Sequence, residues 1–383
     1  MKLHYFNGKL SAGFVALFSG RMLQFAASGL LGLFLPVYLL MHMGYNPTYV
    51  MLWYLAGHLG YIIILPWGAK LLNKIGLRRS LRISVFFDAF LYSSIFFIAK
   101  DPLLFSIISV IFIVLARMFF WLPFHVDFAK FTDRRDRGKE VSIIWAAKAV
   151  LGILMPILSG ILIYYFDFKI VFILAIFFYI APIIPFMALP RTRERFEWSA
   201  KETIKNFFKK ENRSLVAANM ANGAENAVAL ILWPIFIWQL LKGNFAAMGA
   251  LSSLIVFIGV ILQLLVGKYA DIFSKRKLLH WGSVFYSFGW IVKIFIITGF
   301  HIFIAGAYHQ LAAIFKDTPF DALNYELLAD YGHYVDEYTV LKEMAVQIGK
   351  ALIIIFAIII VFNFGINWTF ALAAIASLLV NLL

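Results

Sequence analysis

Apolar stretches long enough to cross a bilayer recur along the whole chain, and this recurrence limits the fold more than any other feature. A transmembrane helix needs about 20 apolar residues. Hydropathy places such spans at 12–41, 49–70, 81–99, 102–127, 141–165, 170–190, 215–241, 247–267, 279–298, 301–325, 340–364 and 367–383. Backbone groups in lipid must bond within their own segment, so these spans read as helices. The expected fold class is all-α integral membrane with twelve transmembrane helices. Hydrophobic residues make up 63% of the 383 and charged residues 14%, against about 45–50% and 25% in soluble domains. This balance excludes a soluble enzyme, a nucleic-acid-binding domain, a disordered chain and a protein with a single anchor.

Charge sets the orientation. The net charge is +14, and cytoplasmic loops of membrane proteins are enriched in Lys and Arg. Most of the 34 basic residues fall on the N-terminus and on alternate loops, while the opposite loops hold only Lys100, Lys169 and Lys242. The basic side is therefore the cytoplasm. With an even span count both termini lie there, and the expected location is the plasma (inner) membrane. The first residues, MKLHYFNGKL, carry no small-residue cleavage site, so no cleavable signal peptide is expected. Cysteine is absent, which removes disulfides, thiol catalysis and Cys-ligated metals. The sequence has no HExxH, no Walker motif and no His/acid cluster with metal spacing. No cofactor, no metal and no enzyme activity are expected.

The chain repeats internally. A shift of 198 residues carries Pro36 onto Pro234, and Arg21, Gln24 and Ser28 onto Asn219, Asn222 and Asn226. Both triplets have i, i+3, i+7 spacing, so each forms one polar stripe on a helix. The same shift takes Asn73 to Asp271, Arg78 to Arg276 and Arg79 to Lys277. Shifts of 196 and 197 align Pro123 with Pro319, His125 with Asp321 and Gly152 with Gly349. A long basic loop at 191–214 separates the halves. The expected domains are a six-helix bundle over 1–190, the cytoplasmic linker 191–214, and a second bundle over 215–383. Parallel repeats with a site between them describe a transporter architecture.

These residues resemble the major facilitator superfamily along essentially the whole chain. The best local match is the loop after span 8, where Gly267, Asp271, Lys275 and Arg276 fit the family pattern and Ile272 and Ser274 depart from it. The loop after span 2 is a weaker copy, with Asn73, Lys74, Gly76 and Arg78; Asn73 replaces the acid. In span 5, Gly152, Pro156, Ser159 and Gly160 resemble a degraded antiporter motif, in which Met155 does not fit. Arg117 sits where drug/proton antiporters carry a membrane Arg, although Trp121 replaces the Gly four residues on. The resemblance implies two pseudosymmetric six-helix bundles, a cavity lined by spans 1, 4, 7 and 10, and alternating access.

Ionisable residues inside spans usually face a bundle interior or a cavity. Glu225, halfway along span 7 beside Asn222 and Asn226, is either a proton or substrate site or a carboxyl held by the two Asn side chains. Arg117, Trp121 and His125 form a stripe on span 4. Arg117 contacts an anionic solute, tunes a nearby carboxyl, or belongs to a structural ion pair. Asp88 in span 3 is grouped with them, with Arg21 or Arg117 as its structural partner. Arg21 either snorkels to the interface or joins Gln24 in lining the cavity. His58 reads as a hydrogen-bonded helix contact. Tyr38, Trp121, Trp233 and Tyr308 are candidate cavity walls alongside Asn219, Asn222 and Asn226. Pro36 and Pro234 break spans 1 and 7 at matching points. Lys148, Gly152, Pro156 and Gly160 recur every four residues, a stripe for close helix packing first and a gating hinge second. A basic loop with Lys130, Arg134, Arg135, Arg137 and Lys139 is expected to meet an acidic one with Glu326, Asp330, Asp336 and Glu337.

The resulting expectation is proton-coupled efflux of a small amphiphilic or drug-like solute. Glu225 is the proton carrier, with Arg117 and Asp88 beside it. The alternatives are a uniporter or importer of a small metabolite or a lipid flippase, and, in another class, a non-transporting sensor or assembly protein. The expected partners are a small-molecule solute, protons and the lipid bilayer, with no nucleic acid and one chain acting as a monomer.

Overall fold

The computed structural model describes residues 11–131, 137–191, 196–270, 274–330 and 335–383. Everything regular in it is helical. The first expected span is broken in two: α1 (Ala12–Leu31) and α2 (Leu35–His42) flank a turn, and Pro36 sits in the first turn of α2. There its missing N–H costs no helical bond. Ser11 caps α1 by accepting from the Phe14 amide at 3.0 Å. Next come α3 (Pro47–Ile75), α4 (Leu77–Phe97) and α5 (Pro102–Phe131). Gly76 joins α3 to α4 at φ 86°, a left-handed conformation that favours glycine.

The fifth and sixth expected spans lie within α6 (Arg137–Ile180) as two helices that meet at Asp167, where the backbone leaves the helical region at φ 65° and ψ 176°. Short α7 (Ile183–Met187) follows. The linker carries α8 (Ala200–Phe207), opened by a capping box between Ser199 and Glu202. The seventh span is again composite: α9 (Arg213–Ala227), a π turn over Val228–Leu232, and α10 (Trp233–Leu240), with Pro234 in its first turn. The remaining helices are α11 (Phe245–Ala270), α12 (Lys275–Ile294), α13 (Gly299–Asp330), α14 (Val335–Phe364) and α15 (Thr369–Leu379).

Eight helical stretches among the described residues are long and apolar enough to cross a membrane. One of them, Ile143–Met187, has 45 residues and contains the break at Asp167. The helices α12 and α13 are not among the eight; α13 carries Lys316, Asp317 and Asp321 in its interior.

Packing follows the sequence repeat. In the first half α1 packs on α6, α3 on α5, and α4 on both α5 and α6. In the second half α9 packs on α14, α11 on α13, and α12 on both α13 and α15. The halves meet along two long seams, α6 against α11 and α3 against α14, and α2 also touches α10. The largest apolar cluster runs through both halves, from Leu30–Leu40 to Val228–Ile237, Trp290 and Phe370.

Candidate functional site

The second half buries an ion pair. α9 holds Glu225 and α13 holds Lys316, and the two side chains form a salt bridge with 5% and 2% of their surface exposed. Two residues before Glu225, Gly223 sets the approach of α9 to another helix. It lies directly against the Val346 backbone of α14, so α9 seats flush there. Lys316 has a second carboxylate within reach, Asp317 Oδ1 at 3.1 Å, which is half exposed. The Tyr286 ring of α12 lies 3.9 Å from Lys316 Nζ. Isolated buried charges are costly, and a close partner offsets much of that cost. Asn219, lower on α9, donates to Asn324 Oδ1 and to the Leu215 carbonyl, both at 2.8 Å. Asn222 is half-buried and Asn226 exposed.

Lys316 is thus Glu225's charged partner. The sequence reading passed over it, although Lys316 and Asp317 stand together in an apolar run, and an intramembrane Lys implies a carboxylate. It also passed over Lys293, Trp290 and His309, which pack beside this pair.

The first half holds its cations differently. The Arg21 guanidinium lies over the rings of Phe25 at 4.2 Å, Trp121 at 4.8 Å, Phe120 at 5.2 Å and Phe124 at 5.4 Å. Its Nη1 reaches Gln24 Oε1 at 3.4 Å, and Gln24 is buried. Arg21 and Trp121 are brought together as the sequence stripes suggest. Asp88 attracts Arg21 electrostatically but forms no ion pair within 4 Å among the described residues.

Arg117 faces His58, with Nη1 3.1 Å from Nδ1, and the same Nδ1 lies 2.6 Å from Gln347 Oε1 on α14. With its proton on Nδ1 the ring donates to Gln347; with it on Nε2 the ring accepts from Arg117. Trp121 stacks on His125, whose Nε2 is 3.7 Å from Glu343 Oε1 of α14. The α3–α14 seam and its flank on α5 thus carry polar contacts beside an apolar cluster that includes Leu65, Leu72, Leu122, Leu341 and Met344.

The α6–α11 seam is closed by small residues. Gly160 lies against Ala246 and Gly249, Gly249 against the Pro156 backbone, and Gly152 against Val256. Ser159 donates to the Leu30 carbonyl at 2.5 Å, tying α6 to α1. Near the α2 and α10 ends, Tyr45 stacks with Trp238 at 6.4 Å and Phe34 meets Phe245 edge-on at 6.2 Å. Tyr38 is buried, donates to the Phe96 carbonyl at 2.6 Å, and packs on Phe168 and Phe172. Trp233 stacks on Phe236, and Tyr308 donates to the Phe285 carbonyl at 3.0 Å.

At the other end a clasp holds the linker. Asn73 Nδ2 donates to the Phe196 carbonyl at 2.8 Å, and the Phe196 amide donates back to Asn73 Oδ1 at 2.9 Å. Lys70 donates to the Glu197 carbonyl at 2.7 Å, and the Glu197 amide donates to Glu337 Oε1 of α14 at 2.7 Å. Arg78 donates to the Leu189 carbonyl at 3.0 Å. Arg276 is exposed. Asp271, Arg134 and Arg135 lie outside the described residues, as do the side chains of Lys130, Arg137, Lys139, Asp330 and Asp336. Of the acidic set expected to meet the basic loop, Glu326 pairs with Lys275 of its own half and Glu337 holds the linker.

Residues 17–219 match the family model described as Major Facilitator Superfamily. No curated protein matches the chain, whereas 224 chains of solved structures do. Among these is a crystal structure of a D-xylose–proton symporter, 14% identical, with a TM-score of 0.68 over 96% of this chain and 95% of that one. At that identity the likeness is one of fold, and it is to a symporter rather than to the antiporter type that the motif in span 5 resembles. With more than half of its length matched by the family model, and with its apolar helices packed in repeated pairs, the chain belongs to the Major Facilitator Superfamily, a family of transport proteins rather than enzymes.

Proposed function

We propose that this protein is a secondary active transporter that takes up a small solute together with protons. The observation that carries this reading is the buried pair of Glu225 and Lys316. A carboxylate sealed against an ammonium is a two-state element. Protonating Glu225 removes its charge and frees Lys316 for the more open Asp317, 3.1 Å away. A proton can thereby trade against a rearrangement of α9 relative to α13. The solute enters between the halves, where Arg21, Gln24, Trp121, Asn222 and Asn226 supply polar and aromatic groups. The twelve spans form two six-helix bundles, 1–190 and 215–383, joined by 191–214, and one chain is a complete unit. The bundles rock about the α6–α11 and α3–α14 seams, with both termini on the cytoplasmic side of the plasma membrane.

Uptake replaces efflux as the favoured direction. Fold likeness to a symporter supports it, and the degraded motif of span 5 serves helix packing here. The test is lumenal pH in proteoliposomes during addition of a panel of sugars and small acids. Symport acidifies the lumen as solute enters, whereas antiport makes it alkaline. Glu225→Gln is expected to abolish the acidification while solute counterflow persists. Acidification unchanged in that variant would discard Glu225 as the carrier, and an alkaline response would restore the exchange reading.

A further inference from the structure

A second polar cluster lies beside the Glu225–Lys316 pair and takes no part in it. Lys293, in the last turn of α12, is 4% exposed. Its Nζ sits between two indole rings, 3.9 Å from the centre of Trp290 and 4.3 Å from that of Trp233. No carboxylate lies within 4 Å of it among the described residues. The nearby acid, Glu225, is engaged by Lys316. Trp290 is fully buried, and its Nε1 has no hydrogen-bond partner among the described residues. His309 of α13, 7% exposed, packs against Trp290 with ring centres 4.9 Å apart, and neither of its ring nitrogens has such a partner.

The chemistry of this set is one-sided. An ammonium offers three donors and no acceptor, and an indole N–H one donor. Ring faces attract the cation but accept no conventional hydrogen bond. His309 adds one donor and one acceptor when neutral, so the cluster is rich in donors, poor in acceptors and without negative charge of its own. A neutral solute supplies acceptors and leaves the ammonium uncompensated. A small anion supplies both.

The geometry points to a binding site for a small monovalent anion, held by Lys293 between Trp233 and Trp290, with His309 alongside. Trp233 is its one half-open wall. That residue directly follows the π turn Val228–Leu232, and such turns are frequent at functional sites. The site is built by α10, α12 and α13 of the second half, with Phe370 of α15 packed on both indoles. It stands whether or not Glu225 carries the coupling proton. Its occupant is either the carboxylate of an organic acid or an inorganic halide.

The experiment follows thermal unfolding of the full chain in lipid nanodiscs at fixed pH and ionic strength. The bulky sulfonate MES is the balancing anion, and sodium acetate and sodium chloride are titrated separately. A saturable rise in Tm with at least one of them is expected. Dominance of acetate assigns the site to carboxylates, and dominance of chloride assigns it to halides. Lys293→Met should raise the titration midpoint about tenfold or more, as for loss of a charge-assisted bond, and Lys293→Arg should keep it within a few fold. Wild-type protein with no saturable response overturns the proposal, as does a Lys293→Met midpoint equal to wild type. If Lys293→Met fails to fold, His309→Phe keeps the charge and decides: a weakened midpoint supports the site, and an unchanged one overturns it. Solute-driven proton flux is a separate readout, so loss of the transport reading leaves this result intact.

Discussion

The two halves repeat one helix plan, but among the described residues only the second holds a buried carboxylate–ammonium pair. In the second half Glu225 and Lys316 neutralise each other inside the half, from helices that pack within it. In the first half Arg21 rests on aromatic rings, and Arg117 looks through His58 to Gln347, which belongs to the other half. A closed pair resists any single change except protonation of its acid. A cation among rings and neutral groups stays available to a partner that comes and goes. The repeat thus keeps one helix plan while its halves compensate these charges differently, although Lys293 of the second half also rests on rings.

This contrast can be broken most sharply at Lys316. Lys316→Met leaves Glu225 buried without its ion-pair partner, and removing one member of such a pair costs about 3–5 kcal/mol. Adding Glu225→Gln should recover most of that loss, so a double-mutant cycle on thermal unfolding should show strong coupling. Arg117→Met is the matching change in the first half. It strands no carboxylate, so its cost is expected to be smaller, about 1–3 kcal/mol, by the same unfolding measurement. Should it equal the Lys316 effect, the two halves do not differ as argued.

His58→Phe or Gln347→Leu removes one polar contact in the α3–α14 seam. Interhelical bonds in membranes average about 0.6 kcal/mol with a maximum near 1.7. Because this contact crosses the halves, the variants should also shift the inward/outward balance, read by distances between spin labels placed on α4 and α12. The smallest effect is expected for Trp121→Leu. It removes one of four rings around Arg21, worth about 0.5–1 kcal/mol, and should alter solute affinity more than stability.

Much of the scaffold was legible because lipid makes helices almost obligatory. Pro36 and Pro234 marked real breaks in spans 1 and 7, and the small-residue run from Gly152 to Gly160 marked a close helix crossing. Spans 5 and 6, expected as separate helices, meet at Asp167, whose non-helical backbone divides α6 in two and whose Oδ1 accepts from the Phe168 amide at 2.6 Å. The partners of the charged residues were not legible. Periodicity places Glu225 on a face of α9, and sequence neighbours drew attention to Asn222 and Asn226. Its true partner comes from α13, 91 residues later. Likewise Gly152 and Gly349 align in the repeat yet face different neighbours, Val256 across the halves and the Met220 backbone within one. Equivalent positions share a helix and not a contact, because helix faces diverge once the partner surface changes.

The clasp at Asn73 has a consequence for the solution in which the protein works. Salt weakens the attraction between exposed charges, so a surface latch built from carboxylate and guanidinium loosens as salt rises. The reciprocal amide bonds between Asn73 and Phe196 carry no net charge on either side. The bond between Asn73 and the linker is therefore expected to hold alike in dilute and concentrated electrolyte, unlike the neighbouring contacts of Lys70 and Glu337, which carry charge.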